Sequence, residues 1–154
     1  MPMSKQSYKH TTGLAGEFLV AGELLRRGIM AAVTYGNAKK ADVIAVNDTK
    51  AASLEVKSTS QTKWVIGSEL PSDNPNIWVL VYLPKSEIAS PEYFILTSAE
   101  LRKLLIPQHE EYHKKYLAKH GKEYTSKGVV SIKRELLNES HLGAWGKVSV
   151  ALGI

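Results

Sequence analysis

An α/β fold, with a mixed central sheet of about five strands flanked by helices, follows from three features of the sequence. A long helical pattern opens the chain. Five short β-rich segments follow it, each bounded by turn residues, and a second helical pattern comes after the last of them. The 154 residues, 44% hydrophobic, suffice for one buried core and are too few for two comfortable domains, so residues 1–154 are expected to form a single domain.

The polar start "MPMSKQSYKHT" predicts a flexible segment over 1–11, with Thr11 or Thr12 as the N-cap of the first helix and Gly28 as its stop. At about 100° per residue, Leu14, Phe18, Ala21 and Leu25 form one stripe, expected to face the core. Glu17 lies roughly 60° from that stripe, and Glu23 falls on the opposite side, toward water. Strands are expected at 29–35, 42–47, 51–59, 77–83 and 93–97. "NDTK" (47–50) supplies a tight turn that makes 42–47 and 51–59 an antiparallel hairpin. The apolar density of "IWVLVYL" (77–83) places it centrally, covered on both faces. A Ser98-capped helix follows, with Leu101, Leu104 and Leu105 inward and Pro107 ending or turning it. A separate polar helix within 108–127 should stop near Gly121. In the tail, a short strand near 129–132, a helical piece and Trp145 as a packing anchor are expected.

Composition excludes several chemistries. There is no cysteine, which removes disulfides, thiolate metal sites and cysteine nucleophiles, and which suits a cytoplasmic protein. The polar start "MPMSKQSYKHTTG" lacks the apolar stretch of a secretory leader, and the longest apolar run, "IWVLVYL", is far below a membrane span, so neither is expected. The net charge of +5 is local. Residues 102–135 hold nine Lys or Arg against four Asp or Glu, and that excess equals the charge of the whole chain. Such a segment reads either as the footprint of a nucleic-acid partner or as a solvated lysine-rich surface.

The chemistry-bearing residues lie in "ADVIAVNDTKAASLEVKST" (41–59). Glu55 and Lys57 share one face of their strand, and Asp42 opens the partner strand. Two carboxylates brought together would repel unless a cation neutralised them, and hard oxygen ligands suit Mg²⁺ or Mn²⁺. Lys57 could then reach an attacking water or a phosphate oxygen, with Glu17 approaching from the first helix. The bland alternative for Glu55 and Lys57 is an ion pair across one exposed sheet face, worth about 0.2–1 kcal/mol. E-x-K alone is a common triplet; "DTK" (48–50) is a second match, set aside because it sits in a turn. The ordered set of a helix acid, a strand-opening acid and E-x-K inside the adjoining strand is more specific.

That order, Glu17, Asp42, Glu55-Val56-Lys57, resembles the PD-(D/E)XK nuclease superfamily with its restriction-endonuclease-like core. The short build and the helix "GEFLVAGELLRRG" resemble its archaeal Holliday-junction-resolvase-like branch. The resemblance covers residues 12–60, more loosely to 97, and Ala41 stands where the motif has proline. It implies metal held by Asp42, Glu55 and the Val56 carbonyl, with Glu17 completing or supporting the site and Lys57 assisting the water. The implied activity is Mg²⁺-dependent hydrolysis of DNA, branched or single-stranded forms included, by a protein that pairs two sites as a homodimer. The alternative on the same scaffold is a nucleic-acid-binding module that has lost cleavage. Gln61, Lys63, Lys115 and Lys119 are candidate phosphate contacts. Trp64 could stack on a base or sit in the core. Tyr112 and Tyr116 could grip a backbone or dock their helix, and the pair His109/His113 reads as a solvated face because no third ligand is evident.

Overall fold

The apolar face of the first helix and the β-rich segments that follow it bury each other in two layers. A computed structural model describes residues 3–35, 41–125 and 128–154. Helix α1 (Lys5–Arg26) leads into β1 (Met30–Val33), β2 (Val43–Val46) and β3 (Ala51–Thr59); β4 (Lys63–Gly67), β5 (Ile77–Tyr82), β6 (Glu92–Thr97) and α2 (Ser98–His120) come next. Strand β7 (Val130–Lys133), a 3₁₀ turn (Arg134–Leu136) and α3 (Gly146–Ala151) complete it. A five-stranded sheet runs in the order β1-β2-β3-β5-β6, antiparallel except for the parallel β3–β5 pair, and β4 and β7 form a separate ribbon. The mixed α/β sheet predicted from the sequence is therefore present, as are its central apolar strand and the β2–β3 hairpin. In the hairpin turn, Asn47 Oδ1 accepts from the N–H groups of Thr49 and Lys50, at 3.0 and 2.8 Å.

One core lies between the sheet and α1 with α3, built from Val20, Leu24, Val43, Leu54, Val56, Val79, Ile95, Trp145 and Val148. The other lies on the opposite sheet face, where Trp64, Trp78, Leu80, Phe94, Leu101, Leu105 and Ile132 meet. Strand β5 feeds both, which is why its residues are apolar without alternation. Among the described residues, no helix is long and apolar enough to cross a membrane.

Helix α1 differs from expectation at its start and in its rotation. It begins at Lys5 under a Ser4 cap, so residues 5–11, expected to belong to a flexible segment, are helical. Thr11 and Thr12 do not cap, because their hydroxyls donate backward to the carbonyls of Ser7 and Tyr8 inside the helix. Its end is as expected: Gly28 takes φ +79°, and Gly28 and Ile29 donate to Leu25 and Leu24 in a Schellman arrangement. The buried stripe is Gly16, Glu17, Val20, Ala21 and Leu24, while Phe18 and Leu25 are about half exposed. The helix has turned by about one residue, or 100°, from the face carrying the largest side chains. Gly16 favours this rotation: it lets α1 lie close against β3, where a Cβ would stand 1.8 Å from Ser58 Oγ and 3.1 Å from Ser58 Cβ and force the serine to shift. Glu23 is not simply solvated; it pairs with Arg26 and Arg27, which hold its carboxyl below the usual range against partial burial.

Two further expectations fail at α2. Thr97 caps it in a reciprocal box with Glu100, because the Ser98 hydroxyl is already engaged, donating to the Asn76 carbonyl and accepting from Trp78 Nε1. Pro107 does not end the helix, which runs on to Gly121 in the left-handed conformation. Its fixed φ is helical, so the helix can continue, at the cost of the bond its missing N–H would make and of crowding between its ring and the carbonyl one turn back. Leu101 and Leu105 are buried and Leu104 packs beside them, as expected. Tyr112 and Tyr116 close edge-on against Tyr124 at ring separations of 5.3 and 4.9 Å, folding the end of the helix onto the following segment.

Candidate active site

Asp42 is placed by its backbone before its side chain does anything. Its N–H donates to the Leu54 carbonyl (3.0 Å), its carbonyl accepts from the Thr34 N–H (3.0 Å), and the Thr34 hydroxyl donates to the adjoining Ala41 carbonyl. Leu54 is the register partner of Val43, yet its carbonyl accepts from Asp42, one residue early. The pairing of β2 with β3 therefore slips at this point, as in a β-bulge, and the slip re-aims the Asp42 side chain. Its Oδ2 accepts the Val56 N–H at 2.9 Å. The first residue of the sequence pattern thus sits on the backbone of the middle residue of Glu55-Val56-Lys57.

That contact orients a second oxygen. The N–H and C=O of one strand residue point to the same edge, so the Val56 carbonyl projects toward the side where Asp42 lies and where β2 has ended. The side chains of Leu54 and Val56 enter the core beneath α1. Glu55 and Lys57 consequently project from the other sheet face, level with Trp78 and Leu80 of β5, and both are half-buried. Glu17 comes from α1 on the Val56 face and is 9% exposed. Its neighbour Gly16 rests on Ser58, whose buried hydroxyl has no hydrogen-bond partner among the described residues.

Asp42 and Val56 are thus brought into contact, and Glu17 is carried over the same stretch of β3. Glu55 and Lys57 flank the contact on the sheet's second face. Among the described residues, no group of three Asp, Glu or His side chains stands together as a ready-made metal-ligating set. The donor chemistry suits a hard divalent cation: carboxylates and a backbone carbonyl, all oxygen, beside a buried hydroxyl that lacks a partner among the described residues.

The candidate DNA contacts separate into two places. Gln61 lies in the turn after β3, its N–H donating to Thr59 Oγ1, and exposed Lys63 opens β4. Lys115 and Lys119 lie on the far half of α2, where Lys115 pairs with Glu111 at 3.0 Å. Trp64 is core, 1% exposed, with Nε1 donating to the Val81 carbonyl, and is not available to stack on a base. His109 and His113 stack at 4.3 Å and recruit no third ligand among the described residues. Sequence reasoning missed Thr34, Gly16 and Ser58. Only Gly16 carried a signal, as a glycine inside an otherwise good helix.

No family model and no curated protein matches the sequence. Several solved structures resemble the fold, two of them nucleases. One is a Holliday junction resolvase, Hjc, from the archaeal hyperthermophile Archaeoglobus fulgidus, 15% identical, covering 90% of this chain and 94% of its own, with a TM-score of 0.46. The other is a bacterial homing endonuclease, 12% identical, covering 92% of this chain and 91% of its own, with a TM-score of 0.52. At these identities the likeness is one of fold alone, a restriction-endonuclease-like α/β fold.

Proposed function

We propose that this restriction-endonuclease-like chain is a divalent-metal-dependent nuclease that hydrolyses DNA phosphodiester bonds. The carrying observation is the 2.9 Å bond from Val56 N–H to Asp42, which joins the strand-opening acid to the Glu55-Val56-Lys57 strand at one point. Asp42, Glu55 and the Val56 carbonyl would hold Mg²⁺, or Mn²⁺ in its place, with Glu17 supporting the site from α1. When bound, such a cation supplies charge neutralisation at the phosphate and lowers the pKa of water. The chain supplies the rest. Lys57 orients the attacking water and faces the charge that develops on the phosphate, while the Asp42 clamp keeps the site from rearranging during the reaction.

The basic balance of residues 102–135 supports a polyanionic substrate. Branched or single-stranded DNA as the preferred form, pairing of two sites in a homodimer and a cytoplasmic location belong to the same proposal and rest on the resemblance in sequence and composition. A second reading, a DNA-binding module without cleavage, draws on the same basic balance of residues 102–135, which would hold a polyanion whether or not it is cut.

The test is incubation with plasmid, single-stranded and four-way-junction DNA in Mg²⁺ or Mn²⁺. Cleavage is expected, falling by about 100-fold or more in Asp42→Asn and in Lys57→Ala, both folded by circular dichroism. The amide of Asp42→Asn keeps an acceptor for Val56 N–H, so its loss reports charge rather than collapse. Failure to cut any substrate, or undiminished activity in both variants, overturns the nuclease reading. Metal-independent DNA binding without cleavage then selects the second.

A further inference from the structure

Strand β3 leads from Lys57, through Thr59 and a short turn, into a second charged feature. Strands β4 and β7 pair antiparallel, with Lys63 directly opposite Lys133 and Trp64 opposite Ile132. Trp64 and Ile132 are buried, so alternation sends both lysines to the outer face, where both are exposed. Like charges directly opposed on an antiparallel pair repel across a Cβ separation of about 4.5–5.5 Å. Neither lysine has an ion-pair partner among the described residues, and the nearby acid Glu92 is committed to Arg134.

Arg134 is itself held. Its guanidinium pairs with Glu92 and lies 4.4 Å over the Tyr82 ring, and its N–H donates to the Thr62 carbonyl at 2.9 Å. It therefore ties the end of β7 to the turn after β3 and forms a wall rather than a mobile cation. Thr62, Lys133, Arg134 and Glu135 line an open groove of about 640 Å³ at this junction. Two exposed lysines opposed in register, one of them lining the groove beside a hydroxyl and a rigid wall, have the chemistry of a phosphate seat, with the Glu135 carboxylate at its margin.

We infer that Lys63 and Lys133, with Thr62 at the groove, bind a DNA backbone phosphate beside the stretch of strand presented to Lys57. The inference rests on the nuclease reading only for the identity of its ligand. The pair would set the register of the strand on the protein and would carry no sequence preference, since phosphates are alike along the chain.

The test is fluorescence anisotropy of labelled duplex DNA, in chelator, across a salt titration. In Lys63→Gln/Lys133→Gln the slope of log affinity against log salt should flatten by about 1 to 2, with affinity near physiological salt falling about 10-fold. The melting temperature should be unchanged or higher, because a repulsion has been removed. Lys5→Gln/Lys50→Gln removes the same charge elsewhere and should keep the slope of the unsubstituted protein. An unchanged slope in the first variant, equal flattening in both, or no binding of duplex by the unsubstituted protein at low salt overturns the inference. Cleavage is scored separately: a protein that cuts nothing yet shows the selective flattening loses the nuclease reading and keeps the phosphate seat.

Discussion

At Asp42 a side chain takes the place a backbone carbonyl would hold in an unbroken ladder. The Val56 N–H meets a carboxylate because β2 slips by one residue there and then ends. A charge-assisted bond of this kind fixes the acid's orientation in advance, which a site for a cation requires. His141 shows the opposite relation between burial and charge. It is 6% exposed, and its Nδ1 accepts the Asn138 N–H at 3.1 Å, so the ring is neutral with its proton on Nε2. Burial, with Lys147 nearby, pushes its pKa below the ordinary histidine value, and Glu100 opposes this only in part. The unfolded chain therefore binds this proton more readily than the folded one does. Stability should be full above about pH 6.5 and decline as pH falls below it, toward the lowered folded value. Urea melts from pH 7.5 to 5 should show that decline, and His141→Gln should flatten it.

Among the elements, the seating of α1 on β3 controls where Glu17 lies. Gly16 touches Ser58, with Ser58 Oγ 1.8 Å and Ser58 Cβ 3.1 Å from the position a Cβ would take. Gly16→Ala should destabilise by about 1–3 kcal/mol through overpacking, although alanine is the better helix former. Ser58→Ala removes the nearer atom and should recover part of that loss, and a double-mutant cycle by denaturant melts measures the coupling. A coupling near zero would show that α1 does not rest on β3 as described. The strand and helix segments were legible because their periods are local properties of the chain. The rotation of α1 was not, since Phe18 and Leu25 are larger than Gly16 and Val20 and dominate any count of apolar weight. Strand β4 was missed because "KWVIG" is too short to declare itself and becomes a strand only by pairing with β7, the short strand expected near 129–132.

Across the whole molecule, one sheet separates two cores, and the site lies at the edge where β2 stops. Because β5 and β6 contribute side chains to both cores, the two faces should unfold together. Leu24→Ala beneath α1 and Leu101→Ala beneath α2 should each cost about 2–5 kcal/mol while preserving a single transition. The double variant should be additive within about 0.5 kcal/mol, because the two leucines belong to different clusters. Two separated transitions by circular dichroism and tryptophan fluorescence would refute that view of the fold.

The sequence by itself determined the order of elements, the β2–β3 hairpin, the central place of β5, the glycine stops at 28 and 121, and the identity of the candidate acids and lysine. These depend on residue type, short-range period and turn chemistry, which a linear chain displays. The tertiary structure alone decided that Asp42 reaches the Val56 amide, that Glu17 arrives on the face opposite Glu55 and Lys57, and that Lys63 meets Lys133 across 70 residues of chain. Strand register and helix rotation are settled by packing between distant segments, so no local pattern could have shown them.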